Sequence, residues 1–594
     1  MLRNRLVIGL DYGTTYTGIS FCETSDTSYI EDRIQIVQDW PSAHTLVGTK
    51  EKVPSEIAYS SDGTIRWGSL IPPHVPRHMW TKLELDSPKT GEAERIRQEL
   101  SALTINGADK VRHPVDIIAD FLAEVKAHLI KNLDRQYGEQ LWRTLPITLV
   151  VTVPAVWSDA AKDRTMQAVS KAGFNQVMFP QLKRIVTTTE PEAAALYTIK
   201  YLQGSVQDEQ LAIGDGFVVC DMGGGTVDLI AYRVAGIDPT VVEEATIGSG
   251  DQCGGSFVDR AFLVWLEMKL GIEDFLKIAG CRAADLSRTS LPPKLGRMVQ
   301  DFTLTAKSGF SGTEEYYLRL PAVLGAIEDE ERGICDGEIQ VTADDMIHMF
   351  EFPLRRTKEL LQEQLRLAAG SGNASVKYIF MVGGFAESPY MHSQISELAR
   401  TYTQLQAVKP VNAWSAISRG ATAKGLESDG RNAVKFRKCR RHYGTGCNPI
   451  FQRGVHLESE SYICKFTGVK RASNQMSWVI SKGEELSTSA PLHGSVAFFM
   501  PLWPGDSRKT SLKLLAADSD IAPQRDSHKN VYEVAKLTID LSCVPQREFQ
   551  TKRSPGGDVY YHLDYTIEIS VQSALEYSLS INGVKYGSVA ANYA

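Results

Sequence analysis

Residues 9–15 read Gly-Leu-Asp-Tyr-Gly-Thr-Thr, and residues 219–226 read Val-Cys-Asp-Met-Gly-Gly-Gly-Thr. Both stretches follow one order: an apolar strand, an aspartate, a spacer, glycine and then threonine. A second apolar, strand-like run follows each glycine-threonine stretch, so each stretch is predicted to be the tip of a β-hairpin. Glycine has no Cβ, so backbone N–H groups in such a tip can approach phosphate oxygens closely. One such hairpin is equally typical of an ordinary tight turn, but two copies predict a pair that clamps a triphosphate from both sides.

The side chains of these two hairpins suit a metal-bound phosphate. Mg²⁺ keeps several water ligands and prefers carboxylates and phosphates, so Asp11 and Asp221 are candidates to hold it through its water shell. The candidate phosphate-binding residues are the glycines and threonines of the tips: Gly13, Thr14, Thr15, Gly223, Gly224, Gly225 and Thr226.

Strand-like and helix-like segments alternate outward from the hairpins. Residues 149–153 are a continuous apolar run, typical of a strand buried on both faces. Pro114 opens a segment whose apolar residues follow the 3.6-residue helical period. Thr342 and Asp345 form a capping box for a later helix, which we expect Pro353 to kink or split. This alternation predicts an α/β protein.

The pattern changes near residue 428. Residues 428–442 read as a linker that ends in a short basic run, which is more typical of a solvated segment or strand edge than of a nucleic-acid site. Beyond it, apolar and polar residues alternate with a period of two, and Asn582-Gly583 supplies a type I′ turn. We therefore predict an α/β domain over 1–427, a linker over 428–442 and an all-β domain over 443–594.

Composition excludes several classes of protein. The chain has 594 residues, with Lys+Arg 64 against Asp+Glu 71, a balance too even for a nucleic-acid or membrane-surface protein. The longest apolar stretch, residues 145–157, contains two prolines and is shorter than the ~18 residues of a membrane-spanning helix. Cysteines are scattered singly without a Cys-x-x-Cys pair, which favours a reducing compartment. We expect a cytoplasmic protein, with the nucleus as a second compartment.

Five segments in order resemble the 70-kDa heat-shock chaperones of the actin-like ATPase superfamily. They are residues 8–20 (first phosphate motif), 150–165 (connecting motif), 189–196 (Thr-Glu-Pro-Glu-Ala-Ala-Ala-Leu), 217–229 (second phosphate motif) and 379–384 (Ile-Phe-Met-Val-Gly-Gly, adenosine motif). The resemblance covers residues 5–425 and implies a two-lobed actin-like ATPase domain, a duplicated ribonuclease-H-like fold. Residues 443–594 resemble the family's peptide-binding β-sandwich without its helical lid, as in the divergent 12A/12B-like relatives.

The resemblance implies ATP or ADP and Mg²⁺ as cofactors, and it gives roles to single residues. Asp11 and Asp221 would orient the metal, and Lys82 would lie near the γ-phosphate. Glu190 would order the metal's waters or the attacking water, and Asp228 would position that water. Plainer interpretations stay open here: Lys82 as a surface lysine, Glu190 as an acid at the start of a helix, and Asp228 as a solvated acid at the end of a strand. The residues implied for the adenosine end are Lys307, Ser311, Gly383 and Gly384.

The adenosine end also departs from the family. Members typically stack adenine between two arginines, whose positions correspond here to Ser308 and Glu387. A family aspartate corresponds to Trp414, which we expect to be a core residue rather than a new stacking surface. We therefore expect phosphate contacts to dominate and base selectivity to be weak.

Together these features predict a slowly ATP-hydrolysing chaperone-like protein. Its nucleotide state would regulate how the β-domain binds an unfolded peptide or client protein, with co-chaperones as further partners and neither nucleic acid nor a membrane span. Two alternatives stay open: a small-metabolite or sugar kinase of the same superfamily, and a pseudo-ATPase scaffold. A kinase would release a phosphorylated product, whereas the predicted protein releases phosphate to water.

Overall fold

The computed structural model describes residues 4–24, 33–43, 50–60, 62–86, 91–105, 112–202, 211–237, 240–370, 374–427, 432–488, 492–542, 544–571, 575–588 and 590–593. Its α-helices are α1 Gly91–Ile105, α2 Pro114–Tyr137, α3 Leu141–Thr144, α4 Asp159–Lys171, α5 Glu190–Leu202, α6 Ser256–Leu270, α7 Ile272–Ala279, α8 Pro293–Phe302, α9 Ala343–Gly370, α10 Pro389–Arg400 and α11 Ala416–Leu426.

The strands of the α/β part are β1 Leu6–Tyr12, β2 Tyr16–Glu23, β3 Gln35–Ile36, β4 Val53–Pro54, β5 Ile57–Tyr59, β6 Ile65–Trp67, β7 Ile147–Val153, β8 Leu182–Thr189, β9 Asp215–Met222, β10 Val227–Ile237, β11 Thr240–Glu244, β12 Ser249–Asp251, β13 Tyr316–Arg319, β14 Ile334–Cys335, β15 Glu338–Val341, β16 Ser375–Val382 and β17 Gln406–Val408. Those that follow are β18 Val434–Lys438, β19 His442–Cys447, β20 Ser461–Ile463, β21 Lys470–Ala472, β22 Gln475–Ile480, β23 Glu485–Ser487, β24 Leu492–Leu502, β25 Lys509–Ala517, β26 Val531–Asp540, β27 Gln550–Arg553, β28 Val559–Val571, β29 Leu575–Ile581, β30 Val584–Ser588 and β31 Ala590–Tyr593.

These elements form two compact units, residues 1–157 with 161–433, and residues 158–160 with 434–594. Strand β18 lies inside the range that the sequence assigned to a linker, and residues 428–431 of that range lie outside the described residues. No helix in the described ranges is long and apolar enough to cross a bilayer.

The first unit contains two sheets, each built around one of the two glycine-tipped hairpins. One sheet has the order β3-β2-β1-β7-β8, in which β1 is antiparallel to β2 and parallel to β7. The other contains the run β17-β16-β9-β10-β11, in which β9 is antiparallel to β10 and parallel to β16. Strands β1 and β7 are buried along their whole length. The repeat of a hairpin beside parallel strands confirms the predicted duplicated α/β fold.

Helix α11 packs against both α5 and β1 at glycine positions. A Cβ on Gly420 would lie 1.8 Å from the carbonyl oxygen of Ala193 in α5. A Cβ on Gly9 of β1 would lie 2.6 Å from the carbonyl oxygen of Ser418, whose carbonyl also accepts a hydrogen bond from the Ser20 hydroxyl at 2.6 Å. This close backbone approach fixes both the strand that carries Asp11 and the helix that begins at Glu190.

Helix α9 differs from the sequence-based expectation at its proline. The capping box is confirmed, since the Asp345 N–H donates to Thr342 Oγ1 at 3.2 Å and the Thr342 N–H donates to Asp345 Oδ2 at 3.0 Å. Of the predicted kink or split at Pro353, the split is wrong, because the helix is continuous from Ala343 to Gly370. Its buried apolar side, which includes Phe350 and Leu361, keeps the helix together although proline removes one backbone hydrogen bond.

The second unit is built from antiparallel strands. One sheet has the order β22-β19-β25-β26-β31, and another has β24-β28-β29-β30. Asn582 and Gly583, between β29 and β30, both have positive φ (50° and 79°), which confirms the predicted type I′ turn. In the described part of residues 434–594, helical structure is limited to two 3₁₀ turns, at Glu458–Glu460 and Gln546–Glu548. The predicted all-β character is therefore confirmed.

We expect Gly420→Ala to lower the free energy of unfolding of the first unit by about 3 kcal/mol, the upper end for an overpacked site. The added methyl group would overlap the backbone of Ala193, so α5 and α11 would have to separate. Urea unfolding followed by circular dichroism measures the change. Gly370→Ala is the matched control, because a Cβ there meets nothing within 4 Å. Equal unfolding midpoints for the two variants would contradict this account of the packing.

Candidate functional site

The tips of the two hairpins face each other in the first unit. A Cβ on Gly224 would lie 2.5 Å from Thr15 Oγ1, and a Cβ on Gly225 would lie 3.1 Å from Thr14 Cγ2. Only residues without side chains allow the second tip to lie this close to the first tip.

A cavity of about 350 Å³ lies at the two tips. It is lined by most of the residues that the sequence singled out: Asp11, Gly13, Thr14, Thr15, Lys82, Glu190, Asp221, Gly223, Gly224, Gly225, Thr226, Lys307, Gly383 and Gly384. Asp228 and Ser311 are not among its lining residues. The sequence had not assigned a role there to several further lining residues: Tyr16, Lys52, Gly255, Thr303, Phe385, Ser388 and Ile417.

The backbone of the second tip is arranged for an anion. The carbonyl oxygens of residues 223, 224 and 225 accept hydrogen bonds from the N–H groups of residues 255, 256 and 254, at 3.1, 2.8 and 3.2 Å, where helix α6 begins. The N–H groups of Gly224 and Gly225 have no partner within the described residues. Because the carbonyl groups of the tip point toward α6, the N–H groups of Gly224 and Gly225 are available to bind an anionic oxygen.

Gly254, just before α6, packs against the second tip and was missed by sequence reasoning. A Cβ on it would lie 2.6 Å from the carbonyl oxygens of both Gly223 and Gly224. The Cys-Gly-Gly sequence before a helix was the signal that could have identified it. Cys253 beside it is fully buried, as expected for a packing thiol, and burial raises its pKa to about 12.

Asp11, at the end of β1, is engaged on both carboxylate oxygens. Lys52 Nζ donates to Oδ2 at 2.7 Å, and Thr152 Oγ1 donates to Oδ1 at 2.9 Å. Burial raises the pKa of Asp11, but the charges of Lys52 and Lys82 and these hydrogen bonds outweigh it and hold the pKa below its usual value. Asp11 is therefore a charged carboxylate that already has a cation.

Lys82 forms the second ion pair of the site, with Glu190. Its 3₁₀ turn, Thr81–Leu85, is fixed by Trp80, which has a φ of 55°, and by a 2.6 Å hydrogen bond between the Thr81 and Tyr12 hydroxyls. Lys82 is only 4% exposed, so the interpretation as a surface lysine is wrong. Burial lowers its pKa, but the charges of Glu190 and Asp11 more than offset this and raise it.

Glu190 lies at the start of α5 with 8% exposure, so it is not a solvated helix-start acid. Burial raises the pKa of Glu190 to about 7, although the Lys82 ammonium opposes the shift. The carboxylate of Glu190 therefore accepts a proton more readily than an ordinary glutamate, which suits a group that orients water or accepts a proton from it.

Asp221 and Asp228 pair directly across β9 and β10, so their side chains share one face of the sheet. Gly250 on β12 makes room for Asp228, because a Cβ there would lie 2.2 Å from Asp228 Oδ1. Burial and the charges of Asp228 and Glu190 raise the pKa of Asp221 to about 8. Burial likewise raises the pKa of Asp228. Asp228 is thus the cross-strand neighbour of Asp221 but is not among the residues that line the cavity.

The two aspartates predicted to orient Mg²⁺ have different surroundings. Asp11 accepts hydrogen bonds from Lys52 and Thr152, and Lys52 balances its charge, whereas Asp221 has no basic side chain at ion-pair distance in the described ranges. Mg²⁺ prefers a carboxylate together with phosphate oxygens and water. Asp221 fits such an ion, and Asp11 fits it less well because the Lys52 ammonium already balances its charge.

The opposite end of the cavity carries the departures from the family pattern. Ser308, Glu387 and Trp414 all line it. Trp414 is partly exposed and packs beside Gly384, where a Cβ would lie 3.0 Å from the indole Nε1, so its assignment to the core is wrong. Its ring meets that of Tyr16 edge-on, with centroids 5.6 Å apart.

The charged side chains at the adenosine end of the cavity each have an ion-pair partner. Glu387 forms an ion pair with Lys409 at 2.6 Å, and Lys307 forms one with Asp259 at 2.7 Å. Ser311, predicted at the adenosine end, lies off the cavity wall and donates its hydroxyl to Glu314. No stacked pair of arginines lines the described part of this cavity.

Comparison with known proteins gives consistent matches. A protein-family model described as "Hsp70 protein" matches residues 95–435. The chain is similar to human heat shock 70 kDa protein 12A, with 24% identity over 523 residues, 76% of this chain and 73% of that protein. It is also similar to human heat shock 70 kDa protein 12B, with 24% identity over 526 residues, 76% of this chain and 72% of that protein. Chaperone protein DnaK of Akkermansia muciniphila is 25% identical over 431 residues, 70% of this chain and 58% of that protein.

We expect Gly224→Val to weaken Mg-ATP binding by about tenfold or more, since a branched side chain would stand between the two tips where the phosphates must lie. Isothermal titration calorimetry measures the dissociation constant. Gly325→Val is the control, because Gly325 is exposed and a Cβ there meets its first atom at 3.5 Å. A folded Gly224→Val protein with wild-type affinity would place the phosphate site elsewhere.

We also expect weak discrimination between bases. In competition for the Mg²⁺-loaded site, GTP and inorganic triphosphate should displace a fluorescent ATP analogue within roughly tenfold of the concentration that ATP needs, because glutamate and serine supply no cationic stack. A much stronger preference for ATP would mean that Trp414 or a neighbouring group binds adenine specifically.

Proposed function

This chain belongs to the Hsp70 protein family, and on that premise we propose that it binds ATP, hydrolyses it slowly and uses its nucleotide state to regulate the binding of an unfolded peptide or client protein. Membership makes it a nucleotide-binding protein of the ATPase type. The slow turnover, its residues and the link to client binding are the parts proposed here.

The observation that carries the proposal is the meeting of the two glycine tips at one cavity. The contact of Gly224 with Thr15 and the free N–H groups of the second tip support a phosphate chain held from both sides. Lys82 and Glu190 stand in the same cavity as a buried ion pair. Phosphoryl transfer depends on such positioning and charge stabilisation, more than on covalent chemistry by the protein.

Each group of the cavity then has a distinct task. The tip N–H groups and threonine hydroxyls hold the β- and γ-phosphates, and the Lys82 ammonium neutralises charge at the γ-phosphate. Glu190 orients the attacking water, and Asp228, the cross-strand neighbour of Asp221, helps to position that water. Magnesium, held through water at Asp221, would supply further neutralisation of the triphosphate.

The altered adenosine end favours a second candidate, a pseudo-ATPase scaffold that binds nucleotide weakly. Glu387 and Ser308 stand where the family pattern has arginines, and Glu387 is already paired with Lys409. A sugar kinase has less support, because the antiparallel second unit and the Thr-Glu-Pro-Glu-Ala-Ala-Ala segment at residues 189–195 fit the chaperone pattern instead. Phosphate release without a phosphorylated sugar separates the ATPase from the kinase.

The proposed client site is the antiparallel second unit. Several large apolar side chains in its segment 450–463 are more than half exposed: Ile450, Val455, Leu457 and Ile463. Exposed apolar groups of this kind suit an unfolded polypeptide. Fluorescence anisotropy of a labelled, unfolded polypeptide, measured with Mg-ATP and with Mg-ADP, tests whether nucleotide state changes its affinity.

We expect the wild-type protein to release phosphate from ATP slowly and Asp221→Asn to lower that rate by about tenfold or more, because the amide keeps the shape of the carboxylate but loses the charge that would hold the metal. A steady-state phosphate-release assay with Mg²⁺ measures both rates. Asp215→Asn, at the far end of the same strand, is the control.

The results of the phosphate-release assay distinguish the ATPase from the scaffold. Equal rates for wild type and Asp221→Asn would remove the second hairpin from the reaction. Nucleotide binding without any phosphate release would favour the scaffold over the ATPase.

A further inference from the structure

Two buried lysines line the phosphate cavity from the side of the first tip. Lys82 is paired with Glu190, and Lys52 is paired with Asp11. The Lys82 side chain is 5% exposed and that of Lys52 is 7% exposed. Lys82 has a role in the proposed reaction, whereas Lys52 has none so far.

Lys52 is held in place by the strands around it. Strand β4 begins at the next residue and pairs with β2, so that Thr17 lies opposite Val53. Ser55 ties this segment to the first tip, because its N–H donates to the Thr15 carbonyl at 2.8 Å. Gly18 leaves room for the lysine stem, since a Cβ there would lie 3.0 Å from Lys52 Cγ. The ammonium is therefore fixed in the cavity wall.

The Lys52 ammonium has unused hydrogen-bonding capacity. It carries three N–H donors, of which one goes to Asp11 Oδ2. Within the described residues the other two have no protein acceptor, and the group lines a cavity that also contains Thr14 and Thr15. Buried donors of a charged group are costly to leave unpaired, so the site is suited to anionic oxygens.

We propose that Lys52 is a built-in cation of the phosphate site, which occupies the cation position at Asp11 and gives the cavity a metal-independent part of its affinity for a triphosphate. This inference rests on the proposed function of the same cavity. Lys52 and Lys82 bind the phosphate chain from the first tip, and Asp221 at the second tip remains for magnesium.

The simpler alternative is that Lys52 only balances the buried charge of Asp11. Loss of the lysine would then lower stability without weakening the binding of nucleotide in EDTA. The ratio of the dissociation constants in EDTA and in Mg²⁺ therefore distinguishes a phosphate-binding lysine from a structural one.

The first measurement needs no variant. Calorimetry of the full chain with ATP, and separately with inorganic triphosphate, gives dissociation constants in excess Mg²⁺ and in EDTA. We expect removal of Mg²⁺ to weaken each by less than about tenfold, because two fixed ammonium groups remain. A loss of tenfold or more overturns the inference. Absence of binding even with Mg²⁺ would instead refute the proposed function.

The second measurement uses variants. Lys52→Met keeps the length of the side chain but removes its charge, and it should raise the dissociation constant in EDTA, and with it the EDTA-to-Mg²⁺ ratio, by about tenfold or more. Lys52→Arg, which keeps the charge, should restore most of the binding in EDTA. Lys377→Met is the matched control, because Lys377 pairs with Asp215 at the same 2.7 Å and does not line the cavity.

Circular dichroism and the thermal midpoint establish that each variant is folded. A folded Lys52→Met protein with the wild-type ratio would overturn the inference, and so would a raised ratio in the Lys377→Met control. If Lys52→Met does not fold, the wild-type comparison of EDTA with Mg²⁺ decides the question by itself.

Discussion

Close backbone approach at glycines is the constraint on which the rest of the first unit depends. At Gly420, helix α11 meets the backbone of α5, and at Gly9 the same helix meets strand β1. At Gly224 the second hairpin meets Thr15 of the first. A single methyl group at any of these points would overlap atoms already within 2.6 Å, so the position of the cavity is fixed by the absence of side chains.

The features that the sequence predicted are those that neighbouring residues determine. Both hairpins, the capping box at Thr342 and the turn at Asn582-Gly583 depend on local chemistry, and all are present. The continuity of α9 through Pro353 depends instead on its buried side in the tertiary structure. Trp414 likewise is expected in the core from its residue type alone, but the 3₁₀ turn that carries it, Ala413–Ser415, places it at the cavity.

The position of Lys52 in the cavity could not be predicted from sequence, because it too depends on tertiary structure. It precedes a two-residue strand, belongs to no motif and lies 41 residues from Asp11 in sequence. Only the pairing of β4 with β2 brings its ammonium to the first tip. Lys82 was predicted only through a family resemblance, and its burial against Glu190 required the unusual backbone of Trp80. Thus the two hairpins of the site can be predicted from sequence, but the ion pairs that balance its charges depend on the tertiary structure.

That charge balance is uneven across the cavity. On the first-tip side, Asp11 and Glu190 each have a fixed lysine, so their charges are compensated before any ligand arrives. On the second-tip side, neither Asp221 nor Asp228 has an ion-pair partner in the part of the chain that the structure describes, and burial together with the charges of Asp228 and Glu190 raises the pKa of Asp221 to about 8. A proton and a metal ion are therefore alternative ways to neutralise Asp221, whereas Asp11 needs neither. At the adenosine end, Glu387 and Lys307 are already held in ion pairs. The two tips, in contrast, offer fixed cations on one side and a carboxylate for a metal on the other. The cavity is therefore better suited to the phosphate chain of a nucleotide than to its base.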